Sequence, residues 1–549
     1  MKQKNSHKYI FVVGGVMSGV GKGVTTSSIG LILQSKGFVV NLIKGDPYLN
    51  VDAGTMNPAE HGEVFVLDSG LETDQDMGNY ERFLNKSLFT ESYMTNGMVF
   101  KHVIDKERAL GYDGKCVEPV YHITEEILRR IRVSVQKTKS DITVFEIGGT
   151  IGEYQNAIFL EAARMLKLKY PKDVMFVMVS YLPVPKNLGE MKTKPTQNAV
   201  RQLNSYGINA DVMIARGERP LDHKRKEKIA FATGVPIENV ISAPDVTSIY
   251  DVPVNFEKDR LGDIVLAHFG INSRVKDLKE WRNMLSKKKN AKKNLKVAVV
   301  GKYFDTGDFM LSDAYLSVIE AIKFSSYWKG ANIKLTWISS RKYESDPRKV
   351  KELGGFDGII VPGGFGKSGI EGVIKAIKYG RENKIPYLGL CYGMQLSVIE
   401  FCRNVMGWKD ANTAEINPKS SHVIIDIMPE QKEMLAEGRY GATMRLGAYP
   451  AKLKKGSIAE NAYKTNKISE RHRHRYEVSP EYIGEIEKAG MVFSGTSPNG
   501  RLMEIAELPK PVHPFFLGTQ FHPEFKARPL HPHPLFNAFV EACLKNKGK

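Results

Sequence analysis

A chain of 549 residues is too long for a single hydrophobic core and predicts two or more domains. With 42% hydrophobic and 26% charged residues it has a globular composition, and no run approaches the roughly 18 apolar residues of a membrane-crossing helix. The formal net charge of +18 suits nucleic acid, a membrane face or small polyanions, and by itself does not choose among them.

The N-terminus, MKQKNSHK, runs straight into a strand-like YIFVVGG without the apolar core or cleavage site of a signal peptide, so a cytoplasmic location is expected. Residues 8–270 then alternate strands and helices. YIFVVGG, VVNLIKG, ITVFEIGG, DVMFVMVS and DVMIARG are short β-branched-rich runs ending in glycine or polar residues, the pattern of a parallel sheet covered by helices. A helical segment near 275–287 gives way to KKKNAKKN, read as a solvated linker and as the domain boundary. The alternation restarts with LKVAVVGKY, a helix from Asp313, NIKLTWISS and FDGIIVPGGFG. The fold class is therefore α/β in two domains: residues 1–273, a linker at 274–294, and 295–549.

Within the first domain, FVVGGVMSGVGKGVTTSSIGLILQSKG sets a strand, a glycine-rich turn and a helix in sequence. Gly14, Gly15, Gly19, Gly21 and Gly23 let backbone N–H groups close on phosphate at a helix N-terminus, and Lys22 reaches the outer phosphates. The match to the P-loop pattern is imperfect, because the loop is one residue longer from Gly15 and Gly23 follows the lysine. A nucleoside triphosphate calls for magnesium and carboxylates. Glu146 stands at the C-terminal end of an apolar strand, where open parallel sheets bind ligands. Asp76 is another candidate, which spacing alone does not separate from Glu72 and Asp74.

In the second domain, IPYLGLCYGMQLSVIEF reads as strand, tight turn and helix with Cys391 inside G-x-C-x-G, the thiol counterpart of a nucleophile elbow. The positive end of the following helix lies where a thiolate would form. QFHPEF offers His522 as base and Glu524, two residues on, to orient its ring from the same side of an extended segment. PGGFG at 362–366 supplies N–H groups for an oxyanion. The remaining cysteines, Cys116, Cys402 and Cys543, show no CxxC or metal spacing and are expected as free thiols.

The order PGGFG, GLCYGMQ, QFHPEF resembles a class I glutamine amidotransferase domain. The phosphate loop followed by KGDPYLNVDAGTMNPAEHGEVFV and GEMKTKPTQ resembles the CTP synthase family, over roughly residues 8–540. The resemblance implies an N-terminal P-loop-like synthetase domain that uses ATP and magnesium to phosphorylate O4 of UTP, with ammonia displacing the phosphate to give CTP. It implies a C-terminal domain that frees the ammonia from L-glutamine through a thioester. By motif it assigns Ser18, Gly19, Val20, Gly21, Lys22, Gly23, Lys44 and Asp76 to ATP. Asp76 and Glu146 go to the metal, and Ser18, Lys192, Lys194, Gln197 and Lys228 to UTP or CTP. It places His61 and Val64 along an ammonia passage, and Gly364, Phe365, Gln395, Glu415 and Arg475 around glutamine.

Family members respond to GTP, for which Lys302, Tyr303 and the RHRHR run ending at Arg475 are the implied region. CTP feedback and a homotetramer are implied too, with neither nucleic acid nor membrane as partner. The lysines of KTKPTQ, if extended, point the same way and suit a triphosphate. Two departures stand out. Gln155 replaces an acidic residue associated with ribose recognition, and FDTGDFMLSDAY after GKY is longer than usual. An amidotransferase acting on another acceptor has no reason to carry KTKPTQ with IKGDPYLNVD. A DNA-partitioning ATPase would leave Cys391, His522 and Glu524 idle.

Overall fold

The computed structural model describes residues 7–547 apart from 58–60, 186, 188, 276, 303–311, 429–430 and 432–443, and the side chains of 312 and 313. The chain divides into two compact units, Met1–Ala53 with Asp76–Leu285 and Gly54–Gln75 with Ser286–Lys549.

The first unit is built on a seven-stranded sheet in the order Tyr93–Thr95, Val40–Asp46, Ile142–Ile147, Lys8–Gly15, Val174–Tyr181, Val212–Gly217, Val240–Pro244. Every neighbouring pair is parallel. The five apolar runs of the sequence are five of its strands, and most of their residues are buried, as expected of a sheet covered on both faces. One side of the core stacks Phe11 on Phe176, with Phe145 and Phe159 alongside.

The second unit carries a nine-stranded mixed sheet. Five parallel strands (Ala331–Ser339, Lys293–Gly301, Gly358–Val361, Tyr387–Leu390, Phe516–Thr519) continue into four antiparallel ones (Met503–Glu507, Val492–Thr496, Arg445–Leu453, Lys467–His474). The lysine run at 287–294 differs from a solvated linker. Lys287, Lys288 and Lys289 form the last turn of the helix Lys279–Lys289, where cations suit the helix dipole, and Lys293 already begins a strand. The C-terminal unit also claims a hairpin far upstream, Phe65–Val66 paired antiparallel with Glu72–Thr73. Among the described residues no helix is long and apolar enough to cross a membrane.

Candidate active sites

In the first unit the strand Lys8–Gly15 feeds a tight loop and the helix Lys22–Ser35. Gly21, at φ 90°, caps that helix in the left-handed conformation, which glycine adopts without Cβ strain. Val16 is left-handed as well, at φ 78°, and such β-branched strain is tolerated where surrounding structure enforces it. Ser18 and Gly19 are exposed on the loop and Val20 is buried. Lys22 donates to the carbonyl of Gly149 at 2.8 Å, which draws the turn after the strand Ile142–Ile147 to the loop.

Beside Lys22 lies an ionic cluster in which Lys44, Asp46 and Glu146 are buried and Asp76 is half-buried. Lys44 Nζ is 2.5 Å from Asp76 Oδ2, 2.8 Å from Glu146 Oε1 and 3.7 Å from Asp46 Oδ1. Tyr80 donates to the other oxygen of Glu146. Burial dominates the electrostatics here: it pushes Glu146 up, with Lys44 opposing, and pushes the Lys22 ammonium down, with Glu146 opposing. Burial also works against the charge on Asp76, yet Lys44 holds this carboxylate below the ordinary range. Glu72, which spacing could not separate from Asp76, lies elsewhere, 2.7 Å from Arg473 Nε in the second unit.

Lys192, Arg225 and Lys228 gather around Glu190. The Lys192 hydrogen bond at 2.7 Å, then the charges of Lys192, Arg225 and Lys228, hold that carboxylate low. The KTK segment is not extended as expected. Thr193 is helical at φ −95°, ψ −13°, and Lys194 and Pro195 open the helix Lys194–Ser205. Gln197 is buried in that helix and donates to Thr193 Oγ1 at 3.2 Å. Gln155 donates to Glu153 at 2.8 Å.

In the second unit the strand Tyr387–Leu390 ends at Cys391, which is buried at φ 50°, ψ −98°, and the helix Tyr392–Asn404 follows at once. A non-glycine residue in that region stores strain, here at the elbow that presents the thiol. Cys391 N donates to Thr519 O at 2.6 Å, and Gln520 Nε2 lies 3.7 Å from Sγ. His522 Nδ1 pairs with Glu524 Oε1 at 2.7 Å. The backbone there is a 3₁₀ turn, Pro523–Lys526, rather than extended, and the turn brings the carboxylate to the ring. Burial disfavours the imidazolium, but Glu524 and then Cys391 outweigh it and hold His522 at about 10.

The glycine turn after the strand Gly358–Val361 adjoins this pair: a Cβ on Gly363 would lie 2.9 Å from His522 Cε1 and 3.8 Å from Cys391 Cβ. Gly364 and Phe365 continue the turn, and the N–H of Gly366 donates to Glu415 at 2.7 Å. Lys302 donates to Gly366 O and lies 4.4 Å from the centre of the Tyr392 ring, and burial lowers it to about 8. Gln395 donates to Tyr476 O at 3.0 Å, and Arg475 to Gln431 at 3.2 Å. His61 is exposed and Val64 buried, with Glu63 between them accepting from Ser317 N at the start of the helix Leu316–Trp328. Tyr303 and residues 304–311 lie outside the described residues.

A family model for the CTP synthase N-terminus matches residues 8–271, and one for class-I glutamine amidotransferases matches residues 310–542. The CTP synthase of Pyrococcus abyssi is 49% identical over 542 residues, covering 98% of each chain. That of Carboxydothermus hydrogenoformans is 48% identical over 539 residues, covering 98% of this chain and 99% of its own. The chain belongs to the CTP synthase family. A solved glutaminase domain of the Trypanosoma brucei CTPS with bound acivicin is 38% identical, covers 46% of this chain and 94% of that one, and superposes with a TM-score of 0.42.

For this member of the CTP synthase family, sequence reasoning missed Tyr80 and Gln520. Gln520 stands inside QFHPEF, two positions before His522, and was within reach of the motif; the structure sets its Nε2 3.7 Å from the Cys391 thiol. Tyr80 carries no local signal: it meets Glu146 across 66 residues of sequence.

Proposed function

We propose that this protein is a CTP synthase that aminates UTP at C4 with ammonia from glutamine, at the expense of ATP. The observation that carries this reading is the joining, in one chain, of a strained Cys391 elbow beside a His522–Glu524 pair and a phosphate loop beside the Lys44–Asp76–Glu146 cluster.

In the glutaminase, Cys391 Sγ attacks the carboxamide carbon and the N–H groups of the Gly364–Phe365 turn receive the oxyanion. His522, kept charged by Glu524, delivers its proton to the amide nitrogen as the C–N bond breaks, so that it leaves as ammonia. Water then cleaves the thioester to glutamate, with His522 accepting the proton. Gln395, Glu415 and Arg475 hold the substrate. His61 and Val64 line the path of the ammonia.

In the synthetase, Ser18, Gly19, Val20, Gly21, Lys22 and Gly23 cradle the ATP phosphates. Lys44 neutralises charge as the γ-phosphoryl passes to O4 of UTP, leaving ADP; ammonia then attacks C4 and phosphate departs. Ser18, Lys192, Lys194, Gln197 and Lys228 bind UTP. Asp76 and Glu146 are hard oxygen donors beside the phosphate loop, a set that fits magnesium. Magnesium bound there with ATP would neutralise phosphate charge.

GTP activation through Lys302, Tyr303 and the RHRHR run at 471–475, CTP feedback, a homotetramer and a cytoplasmic location complete the proposal. The test is absorbance-monitored conversion of UTP to CTP with ATP, magnesium and glutamine, with and without GTP, in parallel with ammonium chloride replacing glutamine. Turnover from both nitrogen sources supports the reading. Glutamine hydrolysis without CTP from either source removes UTP as the acceptor.

A further inference from the structure

The first four residues of the RHRHR run, Arg471 to His474, lie on the strand Lys467–His474, whose side chains alternate in direction. His472 and His474 turn into a buried cluster in which Arg445 bonds Glu504 at 2.7 Å and Glu477 at 3.1 Å. Arg471 and Arg473 turn the other way, onto the hairpin at 65–73. Arg471 Nε is 2.6 Å from Asp68 Oδ1, its Nη1 donates to Val66 O at 3.1 Å, and Arg473 Nε is 2.7 Å from Glu72 Oε1.

The same strand supports the thiol and the base from its backbone. Arg471 O accepts from His522 N at 2.8 Å, and Arg473 O lies 3.9 Å from Cys391 Sγ. A second line of contacts runs from the hairpin to the base. Phe65 meets Phe525 edge-on at 5.1 Å, Phe525 stacks on His522 at 5.1 Å and 19°, and Lys526 is 3.7 Å from Asp68. Phe65, Arg471, Glu72 and Phe525 are all buried.

We infer that the 65–73 hairpin, which the synthetase family model spans, is the back wall of the glutaminase, and that Glu72, Asp68 and Phe65 are positioning residues for Cys391 and His522. Carboxylates some 400 residues upstream hold the two arginines, the arginines fix the strand, and the strand carbonyls and the Phe65–Phe525 contact set the thiol and the ring. The inference rests on the Cys391–His522 reading above. It moves Glu72 from a magnesium candidate to a support of the other reaction.

The experiment compares Glu72→Gln and Phe65→Leu with wild type in the full-length enzyme. Three quantities are read: glutamate release, inactivation of Cys391 by a chloroketone analogue of glutamine, and CTP formation from ammonium chloride. Both variants should lower kcat for glutamine hydrolysis by about tenfold to a hundredfold, the scale of a misplacement of about 1 Å, and slow the inactivation in proportion. KM for glutamine and the ammonium-dependent rate should hold, and Arg473→Lys should retain more activity than Arg473→Ala. Phe65→Leu keeps an apolar residue in place, so the comparison stands even if Glu72→Gln does not fold. Wild-type hydrolysis and inactivation in the folded variants would overturn the inference, as would loss of the ammonium route together with the glutamine route. A Cys391→Ala control that still hydrolysed glutamine would instead overturn the nucleophile assignment beneath it.

Discussion

A Cβ placed on Gly23 would lie 2.0 Å from Oδ1 of Asp76. The departure from the P-loop pattern, glycine where a hydroxyl residue usually follows the lysine, thus has a steric cause: the carboxylate approaches the helix start where a side chain would stand. Gly23→Ser should therefore displace Asp76 and lower ammonium-dependent CTP formation by about a hundredfold, as expected for a misplacement of about 1 Å. Glutamate release without nucleotide should persist. Steady-state CTP assays with ammonium chloride check this, and a near-wild-type rate would remove the steric account.

Cys391→Ala should abolish glutamine-dependent synthesis and leave synthesis from ammonium chloride, because only the source of ammonia is lost. Parallel assays with the two nitrogen donors decide it. Loss of the ammonium route as well would contradict the division of labour between the units.

Lys22→Ala should stop CTP formation from both donors while glutamine hydrolysis continues at its basal rate. Its Nζ also holds Gly149 O, so the turn after Glu146 should loosen and ATP protection against heat should shrink. Calorimetric unfolding with and without ATP reads the second effect; unchanged protection together with full CTP formation would take Lys22 out of the ATP site.

The His522–Glu524 pair fixes a pH dependence. The folded ring, at about 10, stands above its ordinary 6.5, so the pair's contribution to stability is complete below 6.5 and disappears as pH rises through about 10. The charged ring that protonates the leaving amide nitrogen is thus retained through neutral pH. In Glu524→Gln the main support of that charge is gone and burial pulls the ring down. Glutamine hydrolysis should then decline with rising pH at least one pH unit earlier than in wild type, by about 1.4 kcal/mol of lost support or more. A pH–kcat profile of both proteins between 6 and 10 is the measurement, and superimposable profiles would refute the role of Glu524.

Much of this was legible locally. The β-branched runs ending in glycine are strands because a sheet covered on both faces requires continuous apolar residues. The phosphate loop and the thiol elbow each consist of contiguous residues, and spacing identifies them. Other features were not legible. Lys192 and Lys194 point the same way toward a triphosphate only if their segment is extended, yet Lys194 and Pro195 open a helix, where proline suits the first turn. Asp76 is set apart from Glu72 only by partners, Lys44 for one and Arg473 for the other, and no local pattern encodes a contact across 401 residues.

The fold boundary and the sequence boundary of the glutaminase do not coincide. A fragment beginning at Ser286 carries Cys391, His522 and Glu524 but leaves behind Glu63, Phe65, Asp68 and Glu72. Exchange of C-terminal halves between two relatives would therefore break matched pairs unless residues 63–72 travelled with them. A change at Glu72 should therefore be tolerated best with a matching change at Arg473, and one at Phe65 with one at Phe525, although the family models place the members of each pair in different domains.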